Sequence, residues 1–405
     1  MIGRLNRLDL TRPGGALAAV LLARVVWGAW AAFISGLFPD SAFEASLPLL
    51  PPQLLSGLWW HRALISPWMR YDFEYYEEIV VRGYRTTDGT ASFHPLYPLL
   101  ARPLWWITGN AQASLLLVST LSAWGATLLI ARYVRRFGSG EQSARTANVA
   151  AWCLLLNPLG WVLLAPYTES SFLLLCIGAL WAIRERKFWV AALLAALATL
   201  VRQQGVLLLA PLAWELSRRG PQVLAGRARA RDWLCLALVP LAFASYSLYR
   251  VRIVGDKLDT GRGLDAYLAS WIVSPSTRLV VPGSGLAPPW RAVQQSLYLL
   301  RFMPNPYHVF LDAGFGWGMI AILMVGWKRL DASEKWLCAG VLASALCFSA
   351  QAYMSFPRHL MLAFPLSILA ARWGIERGRT RLLLEGMAIG GLLLCAAFVR
   401  HGWVP

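Results

Sequence analysis

Long apolar runs recur along this 405-residue chain, and they restrict its fold more than any other feature. Runs of about 18 residues or more are long enough to cross the ~30 Å hydrocarbon core of a bilayer as helices. Because lipid offers the backbone no hydrogen-bond partners, such segments must satisfy their polar groups internally, as α-helices do. Composition agrees, since 57% of the residues are hydrophobic and 15% are charged, whereas about a quarter are charged in soluble domains. The sequence therefore predicts an all-α polytopic membrane protein.

The charged residues of the loops predict the topology. In a soluble protein, the net charge of +17 would favour a nucleic-acid partner. Here, arginine and lysine lie in short loops such as RYVRRF (132–137) and RERK (184–187), where the positive-inside rule explains them. We therefore expect no nucleic-acid partner and a single membrane domain over 1–405, with about eleven transmembrane helices and a cytoplasmic N-terminus. Two long loops with interfacial helices, 39–110 and 254–306, are expected on the non-cytoplasmic side.

Prolines interrupt two of the apolar segments. The run at 93–108 contains three of them: Pro95, Pro98 and Pro103. If this run crossed the membrane, the basic loop after the next span would lie outside, so we predict an interfacial or half-inserted helix instead. In the run at 147–166, Asn157-Pro158 is interpreted as a kink in the middle of a span.

Four carboxylates lie close together in the first long loop, in the stretch YDFEYYEEI (71–79). If 68–82 is helical, at about 100° per residue, Asp72 shares an apolar and aromatic face with Tyr75. The opposite face is predicted to be solvated and carries the three glutamates: Glu74, Glu77 and Glu78. Glu78 is expected to pair with Arg82, four residues later.

Asp72 is the unusual acid of this group because it points toward the packed side of the helix. A carboxylate there is costly unless it is paired or used. Two interpretations stay open: a helix cap or a salt bridge to Arg70 or another buried arginine, and a general base at the outer membrane surface. A metal site shared with Glu74 is rejected because a helix places the two side chains about 200° apart. The histidines and cysteines show no metal-ligand spacing either, so no metal and no cofactor are expected.

Four stretches along the chain carry further motifs. They are RYDFEYYEEIVVRGY (70–84) with FHPLYPLLARPL (93–104), NPLGWVLLAPYTESSFLLL (157–175), ATLVRQQGVLL (198–208) and SFPRHLMLAFPL (355–366). In this order they resemble the motifs of the PIG-V-like mannosyltransferases, the family of GPI mannosyltransferase 2 and its prokaryotic relatives. Three positions depart from the pattern: Tyr71 stands where Trp is usual, His94 replaces a Phe, and His359 replaces a Tyr.

This resemblance implies a GT-C fold glycosyltransferase. Such enzymes take a sugar, typically mannose, from a polyprenyl- or dolichyl-phosphate donor and act on the non-cytoplasmic face of the membrane. The aspartate of the R-W/Y-D motif is thought to be catalytic, and here it is Asp72. Because the Arg- and Ala-rich chain looks like a bacterial member, we expect a multi-pass protein of the bacterial inner membrane with an outer-face active site. Its expected partners are the lipid-phosphate donor, a glycolipid, glycan or protein acceptor, and membrane lipids.

A lipid-phosphate donor determines the chemistry that is needed. The phosphate is already a good leaving group, so one base is enough to take the acceptor's proton, and in-line displacement inverts the anomeric centre. Asp72 is the expected base, and Arg202 and Arg358, near the outer ends of spans, are expected to bind the phosphate. The remaining substrate contacts are expected from seven side chains: Tyr71, Tyr75, His94, Tyr167, Glu169, Gln203 and His359.

Each of these assignments has an alternative. The two arginines would also fit side chains that extend to the outer lipid headgroups. Glu169 beside Tyr167 would fit a capped, tight helical hairpin, and His94 would fit a hydrogen-bonded interfacial histidine. For the whole chain, the rival functions are a lipid or solute transporter or flippase, and a non-catalytic partner of a glycosyltransferase complex.

Overall fold

The computed structural model describes most of the chain. The described residues are 8–38, 59–85, 89–138, 143–218, 227–252, 307–347 and 355–400, with the single positions 290, 297 and 301. Most of the predicted second outer loop (254–306) and the first part of the other one (39–58) therefore lie outside the described residues. Within the described ranges, the regular elements are α-helices and short 3₁₀-helices, and no strand occurs. The predicted all-α architecture is confirmed.

The described residues form sixteen α-helices. In chain order they are α1 (Pro13–Leu37), α2 (Trp59–Leu64), α3 (Phe73–Arg82), α4 (Leu96–Thr108), α5 (Ala111–Phe137), α6 (Ser143–Leu155), α7 (Glu169–Arg184), α8 (Phe188–Val201), α9 (Leu209–Ser217), α10 (Arg227–Leu234), α11 (Leu238–Arg252), α12 (Tyr307–Gly326), α13 (Ala332–Cys347), α14 (Phe356–Leu360), α15 (Pro365–Glu376) and α16 (Thr380–Val399).

Several of these helices can cross a membrane. Among the described residues, five helical segments are long and apolar enough: Pro13–Leu37, Ala111–Phe137, Arg231–Arg250, Phe310–Arg329 and Thr380–Val399. Each has 20 residues or more, which at 1.5 Å per residue covers the hydrocarbon thickness. The chain is therefore a polytopic membrane protein, while the count of about eleven spans and the sidedness of the loops stay predictions.

The chain forms two compact units, and the first contains Met1–Gly83, Leu96–Trp181 and Phe364–Val404. In this unit α1 packs against α5 and α16, and α3 packs against both α4 and α5. Small residues permit the close approach of the helices. A Cβ at Gly391 of α16 would lie 2.6 Å from Cη2 of Trp27 on α1, so only glycine fits there without displacing the indole.

The second unit contains Tyr84–Pro95 and Ala182–Ala363. Here α8 packs against α11, α9 packs against α13, and α14 packs against both α12 and α13. A 3₁₀-helix, Gln203–Leu208, separates α8 from α9. The polar residues Arg202, Gln203 and Gln204 thus lie at a break between two helices.

The prolines behave differently at the two positions singled out in the sequence. The interpretation of Asn157-Pro158 as a kink inside a span is wrong, because α6 ends at Leu155. The side-chain Oδ1 of Asn157 instead accepts a 2.9 Å hydrogen bond from the amide of Leu159 in a turn. Proline lacks an N–H group and disfavours the helical conformation of the residue before it, so the helix stops there.

The run around Pro103 forms a helix, as predicted, but Pro98 and Pro103 do not interrupt it. Helix α4 continues through Pro103 to Thr108, and Asn110 then caps the start of α5 by accepting a 2.9 Å bond from the amide of Ala113. Whether α4 lies at the membrane interface stays a prediction.

Candidate active site

The segment around Asp72 is not the continuous helix predicted over 68–82. A 3₁₀-helix covers Ser66–Trp68, and α3 begins only at Phe73. Between them, Tyr71 has a φ angle of +55°. This left-handed conformation is rare for a residue with a side chain and costs about 1–3 kcal/mol, so surrounding contacts must hold it.

Asp72 occupies the position directly before α3. Its side chain makes no capping hydrogen bond to the helix, although a carboxylate at this position commonly does. The residue is half-buried. The helix-cap interpretation of Asp72 is therefore wrong, and its carboxylate is not needed to start the helix.

Arg70 anchors the segment from inside the first unit. Its Nε and Nη2 each donate a 3.1 Å hydrogen bond to the carbonyl of Val399, and its Nη1 donates to the carbonyls of Met69 (3.0 Å) and Ser66 (3.3 Å). Val399 is the last residue of α16, where the helix dipole favours a positive charge. Through these bonds to backbone carbonyls, the guanidinium joins this segment to the end of the last helix.

Aromatic side chains hold Arg70 and Tyr71 in place. The hydroxyl of Tyr167 donates a 2.5 Å hydrogen bond to the carbonyl of Arg70. The rings of Tyr71 and Tyr167 both lie against Phe398, with centroids 5.9 and 6.1 Å from its ring. Tyr167 is only 2% exposed, so its burial favours a supporting role over direct substrate contact. Tyr75, also a predicted substrate contact, is half-buried on α3.

The prediction of three solvated glutamates is wrong. Glu77 and Glu78 are only 5% and 4% exposed, and Glu74 is half-buried. The physical reason is that α3 packs against two helices, so most of its circumference is covered. Glu78 does pair with Arg82, at 3.1 Å, as predicted. Burial raises the pKa of Glu77 to about 7 and also raises the pKa of Glu74.

Glu169 is the first residue of α7 and is fully buried. Helix α5 holds this segment, because Ser119 Oγ donates to the carbonyl of Tyr167 (3.3 Å) and Ser122 shares a 2.8 Å hydroxyl bond with Ser171. A carboxylate in the first turn is favoured by the helix dipole. This geometry fits the alternative of a tight turn into a helix, and substrate binding by Glu169 stays a prediction.

In the second unit, His94 is enclosed by aromatic and cationic groups. The residue is 9% exposed, and its ring centroid lies 5.0 Å from that of Tyr246 on α11. Burial, with the positive charges of Arg250 and Arg202, lowers the pKa of His94 to about 3, so the imidazole is neutral. The hydroxyl of Tyr246 donates to the carbonyl of Phe93 (2.5 Å) and so fixes the backbone next to the histidine.

Arg202 lies at the junction between α8 and the following 3₁₀-helix. Its carbonyl accepts a 2.9 Å bond from the amide of Gly205. A Cβ at Gly205 would lie 2.2 Å from the backbone nitrogen of Thr199, so this tight turn requires glycine. Arg202 and Gln203 are both half-exposed.

Arg358 and His359 lie on the short helix α14 and are half-buried. The helix follows Ser355, whose φ angle is +55° and whose amide donates a 3.2 Å bond to Oδ2 of Asp312. Asp312 lies on α12 and is 1% exposed.

Sequence reasoning missed Asp312 and the buried Arg250. Both could have been found, since an ionisable residue within an apolar run is expensive and marks a functional or structural site.

The predicted site residues thus divide between the two units. The first unit contains Asp72, Tyr71, Tyr75, Tyr167 and Glu169. The second unit contains His94, Arg202, Gln203, Arg358 and His359. Among the residues that the structure describes, no group of three or more His, Cys, Asp or Glu side chains could hold a metal ion.

Comparison with known proteins gives matches among solved structures alone. No family description and no curated protein matches the sequence. Structures of the oligosaccharyltransferase from Archaeoglobus fulgidus are similar to this chain at 13% identity. They include the apo form (TM-score 0.43), a complex with an inhibitory peptide and a dolichol-phosphate (0.44), and a form tethered to an acceptor peptide (0.43). These matches cover 95% of this chain, which spans 56% of the length of those structures.

Proposed function

We propose that this protein is a GT-C glycosyltransferase that moves a sugar, mannose, from a polyprenyl- or dolichyl-phosphate donor to an acceptor hydroxyl on the non-cytoplasmic face. Asp72 is the general base. The observation that carries the proposal is the way in which the protein holds the tripeptide Arg70-Tyr71-Asp72. Arg70 and Tyr71 hold the segment through internal contacts, and Asp72 directly follows a costly left-handed residue, is half-buried and does not cap the helix. Backbone strain maintained by many contacts is typical of functional sites.

The proposed reaction needs one base. The acceptor hydroxyl loses its proton to the Asp72 carboxylate as its oxygen bonds to the anomeric carbon. The bond from that carbon to the phosphate oxygen breaks, and the lipid phosphate leaves with the electron pair, so the anomeric configuration inverts. A correctly placed general base contributes about 10²–10⁴-fold in rate.

Cationic groups of the second unit are proposed to bind the donor phosphate. The half-exposed position of Arg202 at a helix break supports this role. For Arg358, the support is its place on the short helix whose start is held by Asp312. Guanidinium groups suit this role because their paired N–H groups match phosphate oxygens. Gln203 and His359 follow these arginines directly in the sequence, and the charge of Arg202 helps to lower the pKa of His94. All three side chains are proposed to bind the sugar.

In the first unit, Tyr71 and Tyr75 are the proposed substrate contacts. Tyr71 directly precedes Asp72, Tyr75 follows it by about one helical turn, and both are half-buried. The acceptor is proposed to be a glycolipid, glycan or protein. The proposed location is the inner membrane of a bacterium, with the active site on the outer face.

The proposal is tested with purified protein in nanodiscs and radiolabelled polyprenyl-phosphate mannose, with membrane lipids and glycans of the source cells as acceptors. The unaltered protein should label an acceptor, and Asp72→Asn should lower the rate by about 100-fold or more while donor binding persists. Glu74→Gln, which removes a half-buried carboxylate two residues away, is the matched control and should keep most activity.

Two outcomes would overturn this function. Undiminished transfer by Asp72→Asn would exclude Asp72 as the base. Absence of transfer by the unaltered protein, with movement of fluorescent lipid phosphate between leaflets of a vesicle, would favour a transporter.

A further inference from the structure

A single amide side chain joins two helices of the first unit to a third. Gln112 is the second residue of α5 and is 7% exposed. Its Oε1 lies 2.6 Å from Nε2 of His61 on α2. On α3, which packs against α5, hydrogen bonding from Gln112 lowers the pKa of the Glu77 carboxyl against the larger rise that burial causes. A carbonyl oxygen and a carboxylate can only accept, so His61 donates through Nε2–H and the Gln112 NH₂ group donates to Glu77.

The two partners of Gln112 lie on opposite sides of the segment that carries Asp72. His61 precedes the segment 65–72, and Glu77 follows it by five residues. His61 and Glu77 are 3% and 5% exposed. The chain of hydrogen bonds extends to the segment itself, since Ser66 Oγ lies 3.4 Å from Nδ1 of His61.

We propose that Gln112 is a positioning residue for the transfer reaction, because its amide fixes both flanks of the segment 65–72 and thereby sets the place of Asp72. This inference rests on the proposed role of Asp72 as the general base. A reacting group must be held within about 0.5 Å of its productive position by neighbouring side chains. Arg70 anchors the middle of the segment at Val399, and Gln112 supplies the anchors at its two ends.

Removing the amide should release both ends at once. Without Gln112, the buried His61 and Glu77 each lose a hydrogen-bond partner, which is unfavourable in a dry environment. The left-handed backbone at Tyr71 then has fewer contacts that oppose its relaxation. We therefore expect the segment to become mobile while the helices on either side stay folded.

Hydrogen–deuterium exchange in nanodiscs tests the positioning itself. In Gln112→Leu, the amides of Trp68 and Met69, which bond to the carbonyls of Ile65 and Ser66, should exchange about tenfold faster than in the unaltered protein. Ser114→Ala is the control, because Ser114 lies in the same helical turn, is 1% exposed and bonds to Asn110. Unchanged exchange over 65–72 in Gln112→Leu would overturn the proposal.

Steady-state kinetics test the consequence for the reaction. Gln112→Leu should lower kcat by about 10- to 100-fold and leave the donor KM within about twofold. Glu77→Gln keeps an acceptor oxygen for the Gln112 amide and should retain most of kcat, whereas Glu77→Leu should lower kcat by less than Gln112→Leu does, because the bond between His61 and Gln112 remains. The double Leu variant should be no slower than Gln112→Leu alone, since Glu77 acts through Gln112. A donor KM effect alone, or additive losses, would contradict the positioning role.

If Gln112→Leu does not fold, Gln112→Asn replaces it in both measurements, because asparagine keeps an amide that is one methylene too short to reach both partners.

The two proposals can fail separately. If Asp72→Asn transfers sugar at the normal rate, the proposed base is wrong, whatever the exchange data show. If Asp72→Asn is inactive and exchange over 65–72 is unaltered in Gln112→Leu and Gln112→Asn, only the role of Gln112 is wrong.

Discussion

The hydroxyl of Tyr167 donates a 2.5 Å hydrogen bond to the backbone carbonyl of Arg70, two residues before Asp72. The two residues are 97 positions apart in the sequence, and both are buried. This bond joins the turn just before α7 to the segment just before α3. The Arg-Tyr-Asp tripeptide and the Pro-Tyr-Thr-Glu-Ser stretch are thus structurally connected within the first unit.

Tyr167→Phe should show how much this contact contributes. The ring keeps its place against Phe398, but the buried carbonyl of Arg70 loses its donor, which costs about 1–3 kcal/mol of stability. We expect a lower melting temperature and a several-fold lower kcat, with the donor KM unchanged. Tyr84→Phe is the control, because its hydroxyl also donates to a backbone carbonyl, that of Phe93, in the other unit. Equal losses of kcat in the two variants would contradict a specific link to Asp72.

Arg70→Lys should be strongly destabilising despite its retained charge. The guanidinium of Arg70 makes four hydrogen bonds to three carbonyls, and a lysine ammonium is a point donor that cannot reproduce this fork. A loss of about 2–4 kcal/mol is expected from the buried carbonyls that are left unsatisfied. Arg82→Lys is the matched control, since Arg82 has a 35% exposed side chain that forms an ion pair with Glu78. Thermal unfolding in detergent measures both, and similar shifts would refute the anchoring role.

The helices were largely predictable from the sequence, because hydropathy and length determine them in a bilayer. Apolar runs of the sequence form the helices Pro13–Leu37 and Phe188–Val201. Local pattern fails where distant contacts decide the conformation. Helix α3 starts late because Tyr71 is left-handed, and that conformation depends on Tyr167 and Phe398, which are remote in sequence.

The burial of the glutamates was unpredictable for a related reason. Helical phase divides a segment into two faces, but it cannot tell whether one or two neighbouring helices cover it. Glu77 is buried because α3 meets both α4 and α5. Gln112 carries no signal at all in the sequence, as a neutral amide in a first helical turn is commonplace. Asp312, in contrast, could have been identified from the sequence, because a lone acid in an apolar run is costly.

The pH dependence of stability should report on Glu77. Burial raises the pKa of its carboxyl from 4.5 to about 7 in the folded protein, with Glu74 and Glu78 adding to the rise and the bond from Gln112 opposing it. Between these two pH values the folded protein holds more protons than the unfolded chain, so stability should fall as the pH rises from about 4.5 to about 7. The difference in pKa corresponds to about 3 kcal/mol. Unfolding midpoints of the protein and of Glu77→Gln should converge at low pH and separate above neutrality, and parallel curves would contradict the assignment.

Asp312 should govern donor affinity through α14. Its carboxylate accepts the bond from the Ser355 amide at the left-handed residue that begins the helix bearing Arg358. Asp312→Ala should therefore displace Arg358 and raise the donor KM by about tenfold, which corresponds to about 1.4 kcal/mol of binding, with a smaller change in kcat. Asp312→Asn keeps an acceptor oxygen and should have a weaker effect. If Arg358 is the group through which Asp312 acts, the double variant Asp312→Ala, Arg358→Ala should bind polyprenyl-phosphate no more weakly than Arg358→Ala alone. Fully additive losses in that binding measurement would show that Asp312 acts elsewhere.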